Sequence, residues 1–286
     1  MTSQLKTGFF LALLTGILLC IGQALGGRGG LMVALVFALV VNGVSYWFSD
    51  RIVLSMYGAR ELAPDDAPGL FAIVRDLAQR ADTPMPRLYL IEEAAPNAFA
   101  TGRGPEHAAL AVTEGLVRSL TPDEVRGVLG HELGHVVNRD ILIQSVAATI
   151  AGAIAGLAGM IRWGAIFGFS RDSEDGGNPM AALLLAIVAP IAALLVQMAI
   201  SRSREFGADQ AGARLSGNPL YLAQALSKLD AASRELPMSQ GSPATAHLFI
   251  VNPFSGGLLS TLFSTHPPIA ERIERLRQMA AGGRGW

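Results

Sequence analysis

Four apolar runs set the limits on what this chain can fold into. Residues 9–25, 31–48, 141–160 and 180–200 are each near the span, roughly 20 residues, that a helix needs to cross a bilayer, and the last two carry no internal charge. The first two are separated only by Gly26-Gly27-Arg28-Gly29-Gly30. Lys6 ahead of the first run would suit a cleaved leader, but a second long run follows at once, so the pair reads as a membrane hairpin. Tyr46 and Trp47, near the end of the second run, suit the aromatic belt of a membrane interface. The third run is rich in Ala and Gly, and the fourth contains Pro190, which membrane helices tolerate. A polar linker at 169–178 joins them. A buried hairpin in the core of a soluble enzyme is the alternative for this second pair. The expectation is four transmembrane helices.

Composition fits that reading. The chain is 51% apolar and 16% charged, richer in apolar and poorer in charged residues than an ordinary soluble domain. A net charge of -1 gives no electrostatic case for nucleic acid. The single cysteine, Cys20, lies inside the first run and reads as a packing or lipid-facing residue. One cysteine excludes both a disulfide framework within the chain and a cysteine-built zinc site.

Between the hairpins, residues 50–140 regain charge. Residues 68–81 place Leu70, Ile73, Val74 and Leu77 at helical spacing, and residues 87–91 read as a strand. Residues 96–102 and 108–113 read as two short strands joined by a turn around Arg103-Gly104-Pro105. Such a pair is either a plain structural hairpin or an open sheet edge that takes an extended peptide as a further strand. His107 falls in or near that turn and reads as a solvated loop residue.

The chemistry starts at Gly130-His131-Glu132-Leu133-Gly134-His135. Thr121 as N-cap, Pro122 at the first position and Glu124 three residues after the cap mark a helix start. Val125, Val128, Leu129, Leu133 and Val136 give that helix an apolar stripe. His131 and His135, four apart, share one face and can aim two imidazoles at one ion. Glu132 is placed to reach an attacking water instead, the division of labour that zinc hydrolysis needs. Two solvated histidines on a surface helix is the plainer alternative. Two histidines lack a third protein ligand, and a downstream glutamate is its usual source in one class of zinc peptidases. Polarity resumes after the fourth run, in a stretch that looks helical through Leu229, and Glu205 is the choice. Asp209, four residues on and on the same face, would then orient a ligand histidine. The competing reading pairs both carboxylates with Arg202 and Arg204 on a wet helix face. Residues 233–253 read as loop containing His247. A final helix spans 269–280, after Thr265-His266-Pro267-Pro268.

Together these features resemble the membrane-bound zinc metalloproteases of peptidase family M48. The residues that carry the resemblance are the paired apolar runs, Pro96-Asn97-Ala98-Phe99-Ala100-Thr101-Gly102, the His131–His135 motif, Arg204-Glu205-Phe206-Gly207-Ala208-Asp209, and Thr265-His266-Pro267-Pro268 with Arg272. The resemblance covers essentially the whole chain. It implies a mainly α fold with a small β-sheet, in which four transmembrane helices carry a zincin-like (gluzincin) catalytic domain. It implies one Zn2+ held by His131, His135 and Glu205, with Glu132 as catalytic base. It implies a substrate cleft lined by Asn97, Ala98 and Phe99 and by Leu110, Ala111, Val112 and Thr113. His266 is a candidate second donor to the oxyanion. The family's work is quality control of misfolded or damaged membrane proteins, so the implied partners are polypeptide substrates and the lipid bilayer. The implied location is the bacterial inner membrane, multi-pass, with the active site facing the cytoplasm. The division expected is a hairpin at 1–49, catalytic segments at 50–140 and 201–286, and a second hairpin at 141–200. Both ligand-bearing segments then emerge on one side of the membrane. Arg51, Arg60, Arg202 and Arg204 on that side, against Arg28 and an acidic-leaning 171–175 on the other, put it in the cytoplasm by the positive-inside rule. Two rivals to the endopeptidase are a membrane scaffold or chaperone-like binder with structural zinc and a narrow-specificity processing peptidase.

Overall fold

The computed structural model describes residues 3–151, 202–238, 243–253 and 267–282. The fourth apolar run, residues 152–160 of the third, the polar linker between them and His266 lie outside the described residues. Helix α1 (Ser3–Met56) bends back on itself at Gly26 and Gly27, where Gly27 takes φ +56°, a conformation that suits a residue without Cβ. The two arms lie side by side: Asn42 donates from Nδ2 to Thr15 Oγ1 at 2.8 Å and to the Leu11 carbonyl at 3.5 Å. The first two runs form the two arms of this bent helix, and the second arm continues to Met56, past the expected end of the run. Gly26–Met56 is long and apolar enough to cross a membrane, and little of it is buried. It is the one such helix among the described residues. Met32, Val33, Val36, Phe37, Leu39, Val40, Trp47 and Phe48 face outward. The first arm's apolar stretch, Thr7–Cys20, is shorter, as is α5, Ile141–Ala151, which opens the third run. Leu142, Ile143, Val146 and Ile150 of α5 pack with Leu14, Leu11, Leu18 and Val41 of α1.

The polar lobe is built on a mixed four-stranded sheet in the order β1-β2-β4-β3. Strands β2 (Arg87–Ile91) and β4 (Ala108–Thr113) run parallel, while β1 (Arg60–Glu61) and β3 (Ala98–Gly102) are antiparallel to their neighbours. Two-residue β1 escapes a sequence reading because nothing so short shows alternation. The other three strands follow period-2 burial on both faces. Leu88, Ala98, Ala100, Leu110 and Val112 pack against α2 (Pro68–Arg80) and α4 (Pro122–Val137). Tyr89, Ile91, Phe99, Ala109 and Ala111 pack on the other face with Val53, Tyr57 and Phe249. There the Tyr57, Phe99 and Phe249 rings meet at 5.0–5.7 Å between centroids, fastening the end of the apolar arm to the sheet. Arg103 lies over the Trp47 ring at 4.5 Å, a second tie at the same junction.

The short helix α3 (Glu114–Ser119) leads into α4. The cap on α4 is as expected, a full capping box between Thr121 and Glu124. The stretch expected to be helical through Leu229 is two helices, α6 (Arg202–Ser216) and α7 (Pro219–Glu235). Gly217 at φ +84° ends the first, and Asn218 caps the second, its side-chain oxygen accepting from the Leu220 N–H, with Pro219 at its first position. Within the stretch expected as loop, 233–253, α7 runs to Glu235, a 3-10 turn spans Pro243–Leu248, and Leu248 to Val251 are buried. His247 is buried there, with Nε2 3.2 Å from the Gln144 carbonyl. His107 is exposed in the 3-10 turn Pro105–His107, as expected. Helix α8 (Ile269–Ala281) closes the lobe.

Candidate metal centre

Helices α4 and α6 cross with their backbones nearly touching. A Cβ on Gly212 of α6 would stand 2.7 Å from the His131 nitrogen, closer than any side chain permits, so only glycine allows the crossing. That approach brings one turn of α6 beneath the histidine face of α4. Glu205 and Asp209, one turn apart on α6, both meet that face and are almost fully buried. The wet-face alternative for these two carboxylates therefore does not hold.

His131 Nε2 lies 3.8 Å from Glu205 Oε2, and His135 Nε2 lies 3.5 Å from Glu205 Oε1. Each of the three side chains offers a ligand atom within 4.8 Å of the others. Donors about 2.0–2.1 Å from a tetrahedral zinc ion stand roughly 3.3 Å from one another, so the 3.5 and 3.8 Å contacts are near that spacing while the widest, up to 4.8 Å, is looser. The far side of each ring is also occupied. His131 Nδ1 is 2.9 Å from Asp209 Oδ1, and His135 Nδ1 is 3.5 Å from Asp140 Oδ2. A proton held on Nδ1 by a carboxylate leaves Nε2 with its lone pair directed at the centre, the usual arrangement around a ligating histidine. The donor set fits zinc.

Glu132 is buried beside this group, and its Oε1 has no hydrogen-bond partner among the described residues. Burial pushes the Glu132 carboxyl up to about 8; His135, the Ala100 N–H and Arg272 pull against it, and Glu205 adds to it. Burial and the Arg272 guanidinium push His131 down to about 4, keeping it neutral. Burial also acts to lower His135, but Glu205, Asp140 and Glu132 outweigh it and hold it up to about 8. For Asp209, burial is overcome by Arg272 and His131, which hold the carboxyl down at about 2. Arg272 is fully buried, and from α8 it grips both Asp209 oxygens.

The sheet residues divide. Strand β3 is an edge strand whose outward groups face neighbours: the Ala98 carbonyl accepts from Ile250 N–H at 3.2 Å, and Gly102 N–H donates to Ser145 Oγ at 3.2 Å. Asn97 is buried and donates from Nδ2 to the Val251 carbonyl at 2.8 Å. Phe99 belongs to the aromatic cluster on the face away from α4. Leu110, Ala111, Val112 and Thr113 do not line a cleft. Strand β4 is paired on both sides and buried on both faces, so it has neither a free edge nor an open surface for a peptide. Two residues of the centre were not singled out from the sequence. Asp140 had a weak signal, five residues after His135. Arg272 entered only through the resemblance, because no local pattern marks a contact 63 residues long.

The family model for peptidase family M48 matches residues 64–280. A protein named protease HtpX homolog from Syntrophobacter fumaroxidans is 60% identical over 282 residues, covering 98% of this chain and all of that one. Another of the same name, from Thermococcus kodakarensis, is 57% identical over 277 residues, 96% of each chain. Protease HtpX of Legionella pneumophila is 53% identical over 281 residues, 98% of this chain and all of that one. Among solved structures, S. mikatae Ste24p matches with a TM-score of 0.50 at 20% identity, over 96% of this chain. The chain spans 64% of that protein's length, and the likeness is one of fold.

Proposed function

The chain belongs to peptidase family M48 and is a metalloprotease, and from that premise we propose that it is a zinc-dependent endopeptidase acting at the membrane. His131, His135 and Glu205 would hold the ion. The chemistry that a zinc ion would supply there is that of a Lewis acid, polarising the scissile carbonyl and lowering the pKa of water. Glu132 takes the proton from the attacking water and delivers it to the leaving nitrogen. Its unpartnered Oε1, buried beside the three ligand side chains, is the observation that carries this reading. His266 remains the candidate second donor to the oxyanion. Asn97, Ala98 and Phe99 are the candidate substrate contacts, and a peptide paired to β3 would have to take the Ala98 carbonyl from the Ile250 N–H that now holds it.

The chain would sit in the inner (plasma) membrane as a multi-pass protein, its catalytic lobe in the cytoplasm. The outward apolar arm Gly26–Met56 supports this, together with the spanning length of the other runs and the distribution of arginines. Residues 50–140 and 201–286 would form the lobe, and 1–49 and 141–200 the two hairpins. Misfolded or damaged membrane proteins are the substrates proposed, in quality control and stress response. A structural zinc site would need four protein ligands, and the cluster among the described residues offers three.

The test compares detergent-purified parent protein with Glu132→Gln. Both should hold one zinc per chain, while casein cleavage and self-cleavage fall by about a thousandfold or more in the variant, at the strong end for loss of a general base. Parental cleavage by Glu132→Gln would remove the role given to that residue.

A further inference from the structure

Arg272 has no part in the chemistry above, yet its placement demands a reason. A guanidinium taken wholly out of water is costly unless its donors are met and its charge is balanced. Here they are met by the metal centre's own support. Nε donates to Asp209 Oδ2 at 2.9 Å, and Nη2 donates to Asp209 Oδ1 at 2.7 Å, a two-pronged grip on one carboxylate. Nη1 donates to the Ile250 carbonyl at 3.0 Å and stands 3.9 Å from Glu205 Oε2. Nη2 also lies 3.4 Å from both nitrogens of His131. The Ile250 peptide held at its carbonyl by Arg272 donates its N–H to Ala98 on the β3 edge.

We propose that Arg272 is a positioning residue of the metal centre. It fixes the rotation of the Asp209 carboxylate, so that Oδ1 keeps the His131 Nδ1 proton and Nε2 stays aimed at the ion. Through Ile250 it also sets the β3 edge against the same centre. A lysine would supply the charge but not the fork, because an ammonium is a single point donor where two fixed, parallel bonds are needed. This inference rests on the reading of His131, His135 and Glu205 as zinc ligands.

The experiment measures zinc affinity of the full-length chain in detergent, by competition with a chromogenic chelator. It is run in the Glu132→Gln background, so that neither self-cleavage nor catalysis enters the readout. Arg272→Met should weaken zinc binding about 10–100-fold, the usual cost of losing an outer support of a ligand. Arg272→Lys should recover only part of that loss. Asp209→Asn should weaken binding to a similar extent, and adding Arg272→Lys or Arg272→Met to it should cost little more, because both act through one carboxylate. A role confined to folding gives another pattern, a lower melting temperature of the metal-free protein with zinc affinity within about twofold of parent, and that pattern overturns the proposal. If Arg272→Met does not fold, the cycle of Arg272→Lys with Asp209→Asn decides, and additive losses overturn it. A parent that takes up no zinc overturns the zinc reading and this proposal together. A zinc-binding parent matched by its Arg272 variants overturns this proposal alone.

Discussion

The two histidines of the centre are held by different means. His131 is backed by Asp209 at 2.9 Å, and that carboxylate is itself clamped by a buried arginine from the last helix. His135 is backed at 3.5 Å by Asp140, five residues further along the chain. Asp140 sits in the turn between α4 and α5, just after Arg139 at φ +58°, with its N–H donating to the His135 carbonyl at 2.9 Å. One support is therefore assembled by the folding of the whole lobe, from α4, α6 and α8. The other lies close in sequence, where α4 gives way to an apolar helix packed on α1, and its tertiary contact is looser, Asp140 Oδ1 standing 4.0 Å from Nε of Arg204 on α6. In the proposed centre the same task, keeping a proton on Nδ1, would fall to a clamped carboxylate for His131 and to a more loosely held one, in the turn after α4, for His135. The first should be the tighter and the more dependent on global stability.

The largest effect that tests this contrast comes from neutralising each support in turn. Asp209→Asn should weaken zinc binding about 10–100-fold, since it also strands the buried Arg272 charge. Asp140→Asn should cost less than about tenfold, because its contact to the ring is longer. Chelator competition on the two variants checks this, and an Asp140 loss equal to or above that of Asp209 breaks the contrast.

A smaller effect should appear with acid. The folded Asp209 carboxyl sits at about 2, below the ordinary aspartate value near 3.9. A group depressed on folding adds stability above its unfolded pKa and loses it as pH falls through the folded one. Asp209 should thus contribute about 2 kcal/mol above roughly pH 5, fading toward pH 2. Denaturant unfolding across that range should show the fade in the parent and a flatter profile in Asp209→Asn. A parental slope left intact by the variant would assign the acid sensitivity elsewhere.

The smallest expected effect is common to both histidines. Thr121 caps α4 at the end away from the motif, so Thr121→Ala should lower stability by about 1 kcal/mol. Zinc affinity should stay unchanged, because both imidazoles ride the same helix. A selective loss of zinc binding would mean that the helix end, rather than the two carboxylates, sets the rings.

What could be read from the residues follows the range of the interactions. The α4 helix, its cap and its paired histidines are written between Thr121 and Val137, and local pattern sufficed for them. The hairpin fold of α1 was legible because apolar length and a glycine-rich break are local too. The division of α6 from α7 also had local signals, Gly217, Asn218 and Pro219, which the helical look of the whole stretch overshadowed. The burial of Leu110 to Thr113 was not legible. Whether a strand lies at an edge or inside a sheet depends on β2, which pairs with β4 across an intervening turn and edge strand. Nor could a sequence show that Glu205 and Asp209 are dry, because their surroundings come from a helix crossing that Gly212 permits. Arg272 belongs to the same class.

X-ray absorption at the zinc edge, on the purified full-length chain, tests the central claim most directly. Two imidazoles and one carboxylate from α4 and α6 predict a spectrum with two histidine ligands in a nitrogen and oxygen shell at about 2.0–2.1 Å, with a position left for solvent, and Glu205→Ala should abolish or reshape that shell. A shell of four protein ligands, or one unchanged by Glu205→Ala, would contradict it.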